Sequence, residues 1–232
     1  MTLWNSDKEL FALARQELFP ALVGDILDTH GYLHQFLPPQ IKPIDPSMVI
    51  IGRAMPVLEA DVPSADAPPV AGQSPAMSKP FGWMFEALDD LKEDEVYICS
   101  GSSWTFALWG GLMSTRAKVL KAAGAVVDGY SRDTPEILKL GFPVASAGGY
   151  AQDQGPRGKV LAWRVPITFG DVLVRPGDIV FGDRDGVIVV PKAVEVAVFT
   201  GALEKARGER KVLEALQQGM STVDAFKKFG IM

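Results

Sequence analysis

The clearest candidate for chemistry in this sequence is an anion site at the start of a helix. Gly110 and Gly111 precede residues 112–123, whose apolar spacing predicts a helix. The first amides of a helix lack internal acceptors and lie at the positive end of its dipole. The amides of Leu112 and Met113 are therefore suited to holding a carboxylate or a phosphate. The two glycines would let such an anion approach the backbone closely.

Adjacent Arg132 and Asp133 follow a predicted strand at residues 125–130 and could complete the same pocket. Arginine presents a planar fork that matches a carboxylate, and aspartate is a hard oxygen ligand suited to Mg²⁺ or Mn²⁺. An Arg–Asp pair that merely caps a turn is nevertheless the commoner arrangement. The residue types alone therefore leave both interpretations open.

The composition excludes several classes of function. The net charge is −5 and the lysines and arginines are scattered, so nucleic acid is not an expected partner. No apolar run reaches the roughly 18 residues of a membrane span, and the acidic start lacks the pattern of a signal peptide, so we expect a cytoplasmic protein without membrane contact. Only two histidines, His30 and His34, are present, which excludes a histidine-rich zinc site and most Ser-His-Asp arrangements.

The order of the predicted elements indicates an α/β protein. Predicted helices at residues 81–91 and 112–123 alternate with predicted strands at residues 96–99 and 125–130. From residue 159 onward, short β-branched runs separated by Gly, Pro and Asp are typical of antiparallel hairpins. We therefore predict a central mixed β-sheet flanked by helices.

The same patterns predict one domain spanning residues 1–232, with helical arms at residues 1–31 and 192–232. In the first arm, Ser6 and Glu9 have the spacing of a capping box. Residues 59–82 are rich in proline and small residues, and connections of that length often form lids over binding sites.

A family resemblance favours the functional interpretation of the Arg–Asp pair. Gly111, twenty intervening residues, Arg132–Asp133 and Glu136 resemble the signature of the family that contains regulator of ribonuclease activity A. Four further blocks resemble the family in the same order, and together the matches span most of residues 22–210. These blocks are residues 52–57, 79–98, 125–133 and 174–191. The resemblance implies an α/β/β/α sandwich of the swivelling-domain kind.

The family also contains the class II aldolases that act on 4-hydroxy-4-methyl-2-oxoglutarate. The resemblance therefore implies a metal-dependent lyase that cleaves a 4-hydroxy-2-oxo acid or diacid to pyruvate and a second oxo compound. Decarboxylation of oxaloacetate is implied as well, both reactions passing through an enolate stabilised by Mg²⁺ or Mn²⁺. The resemblance also implies an alternative, a non-catalytic regulator that binds and inhibits ribonuclease E.

Carried over to this sequence, the resemblance makes Asp133 the direct metal ligand. Arg132 would hold the pyruvyl oxygen and stabilise the enolate, and the backbone at Gly111, Leu112 and Met113 would bind the substrate carboxylate. These roles describe one site for a small 2-oxo acid and a divalent cation.

Two glutamates are implied as supporting residues around the metal. The aldolases commonly have an aspartate where this chain has Gly111, and Glu136 is positioned to replace part of that missing charge. Family members form trimers or dimers of trimers, in which an acidic residue of a neighbouring subunit helps to position water at the metal. Glu209 is the best match to that residue by spacing, with Glu204 as the second choice.

Overall fold

A computed structural model describes residues 3–62 and 74–230, with a β-sheet at the centre. The helices are α1 (Asp7–Glu17), α2 (Pro20–Thr29), α3 (Met84–Asp89), α4 (Gly111–Val119), α5 (Thr134–Leu140), α6 (Glu195–Gln217) and α7 (Thr222–Phe229), with a 3₁₀ turn at Pro75–Ser78. The strands are β1 (Lys42–Pro43), β2 (Ile50–Asp61), β3 (Glu95–Ser100), β4 (Ala107–Trp109), β5 (Gly124–Val127), β6 (Tyr130–Ser131), β7 (Val144–Ser146), β8 (Gly158–Trp163), β9 (Ile167–Phe169), β10 (Val172–Val174), β11 (Ile179–Asp183) and β12 (Gly186–Val190).

The main sheet has eight strands and is mixed, as the sequence pattern predicts. Seven of its strands follow the order β1-β7-β5-β3-β2-β11-β12, and β8 pairs with β2 as well. Strands β2, β3, β5 and β7 are mutually parallel, whereas β1, β8, β11 and β12 are paired antiparallel. Two small sheets complete the fold, one formed by parallel β4 and β6 and one by the β9–β10 hairpin.

Alternation along the strands divides the core into three layers. In β11 and β12, Phe181 and Ile188 pack against the terminal helices. The adjacent residues Val180 and Val187 point to the other face of the sheet, into an inner apolar cluster. That inner cluster also receives side chains from β3, β5 and the β9–β10 hairpin. Helices α3, α4 and α5 cover the opposite side of β3 and β5. Helical layers therefore enclose a double β layer, which confirms the predicted fold class.

The terminal helices pack together over β11 and β12. Phe11 of α1, Leu27 of α2 and Phe199 of α6 are fully buried in their shared cluster. Burying each such side chain contributes roughly 1.5–3 kcal/mol. The amide of Glu9 donates to Ser6 Oγ, as in a capping box, but the Glu9 carboxylate accepts from the amide of Asn5 instead of Ser6. The predicted box is therefore half formed.

Several predicted boundaries are wrong in detail. The helix predicted at 112–123 ends at Val119, and the one predicted at 81–91 begins only at Met84. The strand predicted at 125–130 is divided into β5 and β6, because Gly129 turns the chain at φ 155°. Strand β2 continues to Asp61, so the predicted 59–82 connection is shorter than expected, and its residues 63–73 lie outside the described part of the chain.

No helix within residues 3–62 and 74–230 is long and apolar enough to cross a membrane.

Arg53 joins the sheet to both terminal helical arms. Its guanidinium donates to Asp7 at the start of α1 over 2.5 and 2.8 Å, and it also pairs with Glu195 at the start of α6. A third bond reaches the carbonyl of Gly177 at 3.0 Å. The hydrogen bond from Arg53 lowers the pKa of the Asp7 carboxyl. Because the arginine side chain is only 18% exposed, this network is poorly replaced by water.

We expect Arg53→Ala to lower the free energy of unfolding by about 2–3 kcal/mol, since charged hydrogen bonds to two carboxylates are lost together. Urea denaturation measures the effect. Exposed Arg184, in the turn between β11 and β12, provides the matched control, and Arg184→Ala should change stability by less than about 0.5 kcal/mol. Equal effects of the two substitutions would contradict the bridging role.

Candidate active site

Two short parallel strands bring the predicted site residues together. Strand β4 leads into Gly110 and α4, and β6 leads into Arg132, Asp133 and α5. The strands pair through Ala107 with Tyr130 and Trp109 with Ser131. The amide of Arg132 then donates to the carbonyl of Trp109 over 2.8 Å. Both segments therefore leave the same edge of the small sheet, the carboxyl end at which α/β folds commonly bind ligands.

The start of α4 has amides available for an anion, as the sequence predicts. Gly110 is the N-cap residue, and the amide of Gly111 donates to Asp133 Oδ2 over 3.0 Å. The next two amides, of Leu112 and Met113, donate to no acceptor within the described residues. Both amides lie at the positive end of the dipole of α4 and have no acceptor within the helix. They are therefore suited to holding a carboxylate.

Asp133 adopts a backbone conformation that is uncommon outside glycine. It lies at φ 58° and ψ 33°, in the left-handed region, as the N-cap residue of α5. Aspartate and asparagine tolerate this region better than most residues do. The conformation lets Asp133 Oδ2 reach the amide of Gly111. Such strained residues cluster at functional sites, and this one presents a half-exposed carboxylate at the start of α4.

Gly110 and Gly111 leave room for two carboxylates. A Cβ on Gly110 would lie 2.8 Å from Asp133 Oδ2, and a Cβ on Gly111 would lie 2.6 Å from Glu136 Oε2. Real Cβ atoms do not approach other heavy atoms so closely, so larger residues would displace these carboxylates. The glycines therefore create a recess in which Asp133 and Glu136 converge.

Arg132 has a partner that the sequence pattern does not reveal. Its Nη1 lies 2.8 Å from Asp153 Oδ1, whereas its Nε lies 3.9 Å from Asp133 Oδ2. The ion pair between Arg132 and its neighbour Asp133 is loose, because Asp133 is turned toward the amide of Gly111 at the start of α4. Asp153 lies in an irregular segment before β8 that carries no recognisable motif.

A cavity of about 290 Å³ opens beside these groups. Arg132, Asp133, Asp153 and Gln154 form its polar end, and Gly110, Leu112 and Met113 at the start of α4 also line it. The remaining lining side chains are apolar. They are Phe81, Met84, Phe85 and Leu88 around α3, with Ala107, Leu108 and Trp109 of β4.

Behind the polar end lies a buried acid that sequence reasoning missed. Glu59 of β2 is 2% exposed, and its Oε2 accepts from Gln154 Nε2 over 2.8 Å. Burial raises the pKa of the Glu59 carboxyl to about 8, while the bond from Gln154 acts in the opposite direction. Its other oxygen has no hydrogen-bond partner within the described residues. At neutral pH Glu59 therefore holds Gln154 mainly as a neutral acid.

The two C-terminal glutamates are not part of this cavity in the single chain. Glu209 lies 3.7 Å from Lys205 on α6 and lines a different cavity, between α6 and the first helical arm, with Glu17 and Leu22. Glu204, also on α6, does not line the Arg132 cavity either. A role for either glutamate beside Asp133 therefore requires a second subunit.

Cys99 is a buried thiol and not a nucleophile of the site. Burial raises its pKa well above the ordinary value, which keeps it protonated.

The residues present fit a hard divalent cation held with few protein ligands. The recess above Gly110 and Gly111 gathers two carboxylates, Asp133 and Glu136, and carboxylate oxygen is the ligand that Mg²⁺ and Mn²⁺ prefer. Across residues 3–62 and 74–230 there is no group of three or more His, Cys, Asp or Glu side chains that could hold a metal. Magnesium commonly keeps several water ligands and takes only one or two carboxylates, so the donor set suits it.

Fold and site together define an α/β protein with an apolar cavity. At one end of the cavity lie the amides at the start of α4, which suit an anion, and the recess with Asp133 and Glu136. The family model described as RraA-like, Aldolase/RraA matches residues 21–189. The chain therefore belongs to the RraA-like family, as its resemblance implies.

Among individual relatives, a Halalkalibacterium halodurans protein is 31% identical over 186 residues, which cover 80% of each chain. It is provisionally named a 4-hydroxy-4-methyl-2-oxoglutarate aldolase. A solved structure described as novel cellulases from gut-associated microbes is 30% identical, with a TM-score of 0.79 over 91% of this chain and 90% of that one. Streptomyces coelicolor RraAS2, described as an unusual member of the RNase ES inhibitor RraA family, is 24% identical with a TM-score of 0.72, over 89% and 97% of the chains. That last likeness shows the fold alone.

Proposed function

We propose that this protein is a divalent-metal-dependent lyase that cleaves a 4-hydroxy-2-oxo acid to pyruvate and a second oxo compound. The observation that carries the proposal is the convergence of Arg132, Asp133 and the start of α4 at the polar end of one cavity. The same groups would support decarboxylation of oxaloacetate, because both reactions place negative charge on the oxygen of a pyruvyl group.

The start of α4 and Arg132 would bind the 2-oxo acid. The free amides of Leu112 and Met113 are suited to the carboxylate, and the guanidinium of Arg132 to the adjacent 2-oxo oxygen. When the C3–C4 bond breaks, its electron pair moves toward that oxygen and an enolate forms. Arg132 stabilises this developing charge by electrostatic attraction in a pocket with apolar walls.

Asp133 would hold the metal ion, with Glu136 close by in the same recess. When bound, a divalent cation supplies Lewis acidity to the 2-oxo acid. The described cavity lining contains no histidine, Asp133 would hold the cation and Asp153 is paired with Arg132, so the proton of the C4 hydroxyl would pass to a water molecule.

We further propose that the active protein is a trimer or a dimer of trimers in which Glu209 of a neighbouring subunit approaches this site. The place of Glu209 on α6 supports the proposal, since a single chain keeps this partly exposed side chain away from its own cavity. Sedimentation velocity tests it, and a monomer with full activity would remove Glu209 from the site.

The direct test of the function is release of pyruvate. Purified protein with Mg²⁺ or Mn²⁺ should form pyruvate from oxaloacetate and from 4-hydroxy-2-oxo acids, and EDTA should stop both reactions. Turnover that persists in excess EDTA would exclude the metal-dependent route. Nanomolar binding to ribonuclease E in a pull-down and titration, without any pyruvate release, would instead support a non-catalytic regulator.

The position of Glu136 beside Gly111 gives a separate prediction. Glu136→Ala should lower kcat/KM for pyruvate release by roughly 10–100-fold, which is typical when a carboxylate that supports a metal site is lost. The double substitution Gly111→Asp with Glu136→Ala should recover part of that loss, because removal of Glu136 frees the space above Gly111.

Gly111→Asp alone is the matched comparison. Its Cβ would lie 2.6 Å from Glu136 Oε2, so we expect the single variant to be less active than the double variant. The opposite order would show that the two positions do not share one recess.

A further inference from the structure

Beyond the polar end at Arg132, the described side chains that line the cavity are apolar. From α3 come Met84, Phe85 and Leu88, and from α4 come Leu112 and Met113. Phe85 is 56% exposed and Leu112 is 86% exposed, so both lie at the mouth. A substrate bound with its 2-oxo acid end at Arg132 would extend its C4 substituent along these side chains.

The charges around the cavity oppose a second carboxylate on that substituent. Arg132 is the one cation among the described lining residues, and it lies beside Asp153 at 2.8 Å and Asp133 at 3.9 Å. Nearby Arg116 pairs with Asp89 and Lys79 pairs with Glu86, and neither lines the cavity. Residues 63–73 contain no lysine or arginine. A carboxylate against this wall would lose water without gaining a cation, which disfavours its binding there.

The size of the cavity suits an aromatic or branched alkyl group. An apolar cavity of about 150 Å³ holds benzene. The cavity here measures about 290 Å³, which leaves space for the four-carbon 2-oxo acid in addition to such a ring. Sulfur contacts from Met84 and Met113 would add favourable interactions with a ring.

We propose that the substrate carries an apolar group on C4, aryl or branched alkyl, in place of the second carboxylate of a 4-hydroxy-2-oxo diacid. This inference rests on the proposed function and specifies its substrate class. The C3–C4 bond breaks, and the C4 hydroxyl loses its proton to become the carbonyl of an apolar aldehyde. The electron pair of the broken bond forms the pyruvate enolate, which takes up one proton at C3.

The test compares two substrates with the same 2-oxo acid end, 4-hydroxy-2-oxo-4-phenylbutanoate and 4-hydroxy-4-methyl-2-oxoglutarate. With Mg²⁺ present, we expect kcat/KM for pyruvate release to be at least tenfold higher for the phenyl compound. A preference for the diacid would overturn this inference while leaving the lyase function intact. Failure of both compounds and of oxaloacetate to yield pyruvate would overturn the proposed function itself.

Phe85→Lys tests the wall directly, because this exposed position should accept a charge without unfolding the protein. We expect the substitution to raise kcat/KM for the diacid and lower it for the phenyl compound, changing their ratio by at least tenfold. Val119→Lys, at an exposed apolar position outside the cavity lining, is the control and should leave the ratio unchanged. If Phe85→Lys separates an oligomer into monomers without altering the ratio, the apolar mouth is a subunit contact and the inference is wrong.

Discussion

Asp133→Asn is expected to reduce pyruvate release by more than roughly 100-fold while leaving the protein as stable as the wild type. Loss of a direct metal ligand should exceed the roughly 10–100-fold effect of losing a supporting group. Asparagine keeps an oxygen that can accept the hydrogen bond from the amide of Gly111, which Asp133 accepts over 3.0 Å. Asparagine also tolerates the left-handed backbone at this position.

Asp133→Ala separates the structural from the chemical role of the residue. Alanine loses the oxygen that accepts from the amide of Gly111 and is strained at φ 58°, so we expect it to lose activity and about 1–2 kcal/mol of stability as well. Activity is measured with a coupled pyruvate assay and stability with urea denaturation. Asp171→Asn, at an exposed turn between β9 and β10, controls for loss of one negative charge. Full activity of Asp133→Asn would remove Asp133 as the metal ligand.

Glu59→Gln is expected to change how stability depends on pH. The pKa of the Glu59 carboxyl is about 8 in the folded protein, against an ordinary value of 4.5, because the side chain is buried. At pH values between 4.5 and 8, the Glu59 carboxyl is ionised in the unfolded chain and protonated in the folded chain. The stability associated with the protonated form is fully present below about pH 4.5 and is lost as pH rises to about 8.

The expected effect is large because one pKa unit corresponds to about 1.4 kcal/mol. Relative to Glu59→Gln, the wild type should lose on the order of 3–5 kcal/mol of unfolding free energy between pH 4.5 and pH 8.5. Glutamine does not titrate and can still accept the hydrogen bond from Gln154. Urea denaturation at four pH values across this range measures the difference.

Glu93→Gln is the control for that series, since Glu93 has an exposed side chain near the start of β3. Its pH dependence should follow that of the wild type. If Glu59→Gln also follows the wild type, Glu59 is ionised in the folded protein at neutral pH.

Periodicity and turn residues were sufficient to predict most of the fold. The β-branched runs separated by Gly, Pro and Asp predicted antiparallel hairpins, and β11 pairs with β12 as one of them. The boundary between β5 and β6 was missed, although Asp128–Gly129 interrupts the apolar residues there with a dipeptide that is common in turns. The turn depends on Gly129 and on a hydrogen bond from the Asp128 amide to the carbonyl of Cys99, a residue distant in sequence.

The candidate site was predictable only where its residues follow regular elements. The two glycines precede a predicted helix and the Arg–Asp pair follows a predicted strand, and pairing of β4 with β6 places them side by side. Asp153 has no such signal, because it comes from an irregular segment and reaches Arg132 through the tertiary fold. Glu59 is the first residue of the stretch predicted to be a connection, so neither its burial in β2 nor its bond to Gln154 was predicted.

The ion pair between Arg132 and Asp153 has a consequence for the kinetics of the proposed reaction. Since Nη1 of Arg132 already has a partner at 2.8 Å, an incoming 2-oxo acid would compete with Asp153 for the guanidinium. The net binding energy is then the difference between two ion pairs, which makes affinity modest. The same exchange in reverse helps pyruvate to leave, because Asp153 reoccupies the guanidinium as the product departs. The protein would therefore favour rapid turnover at high substrate concentration over tight capture of scarce substrate.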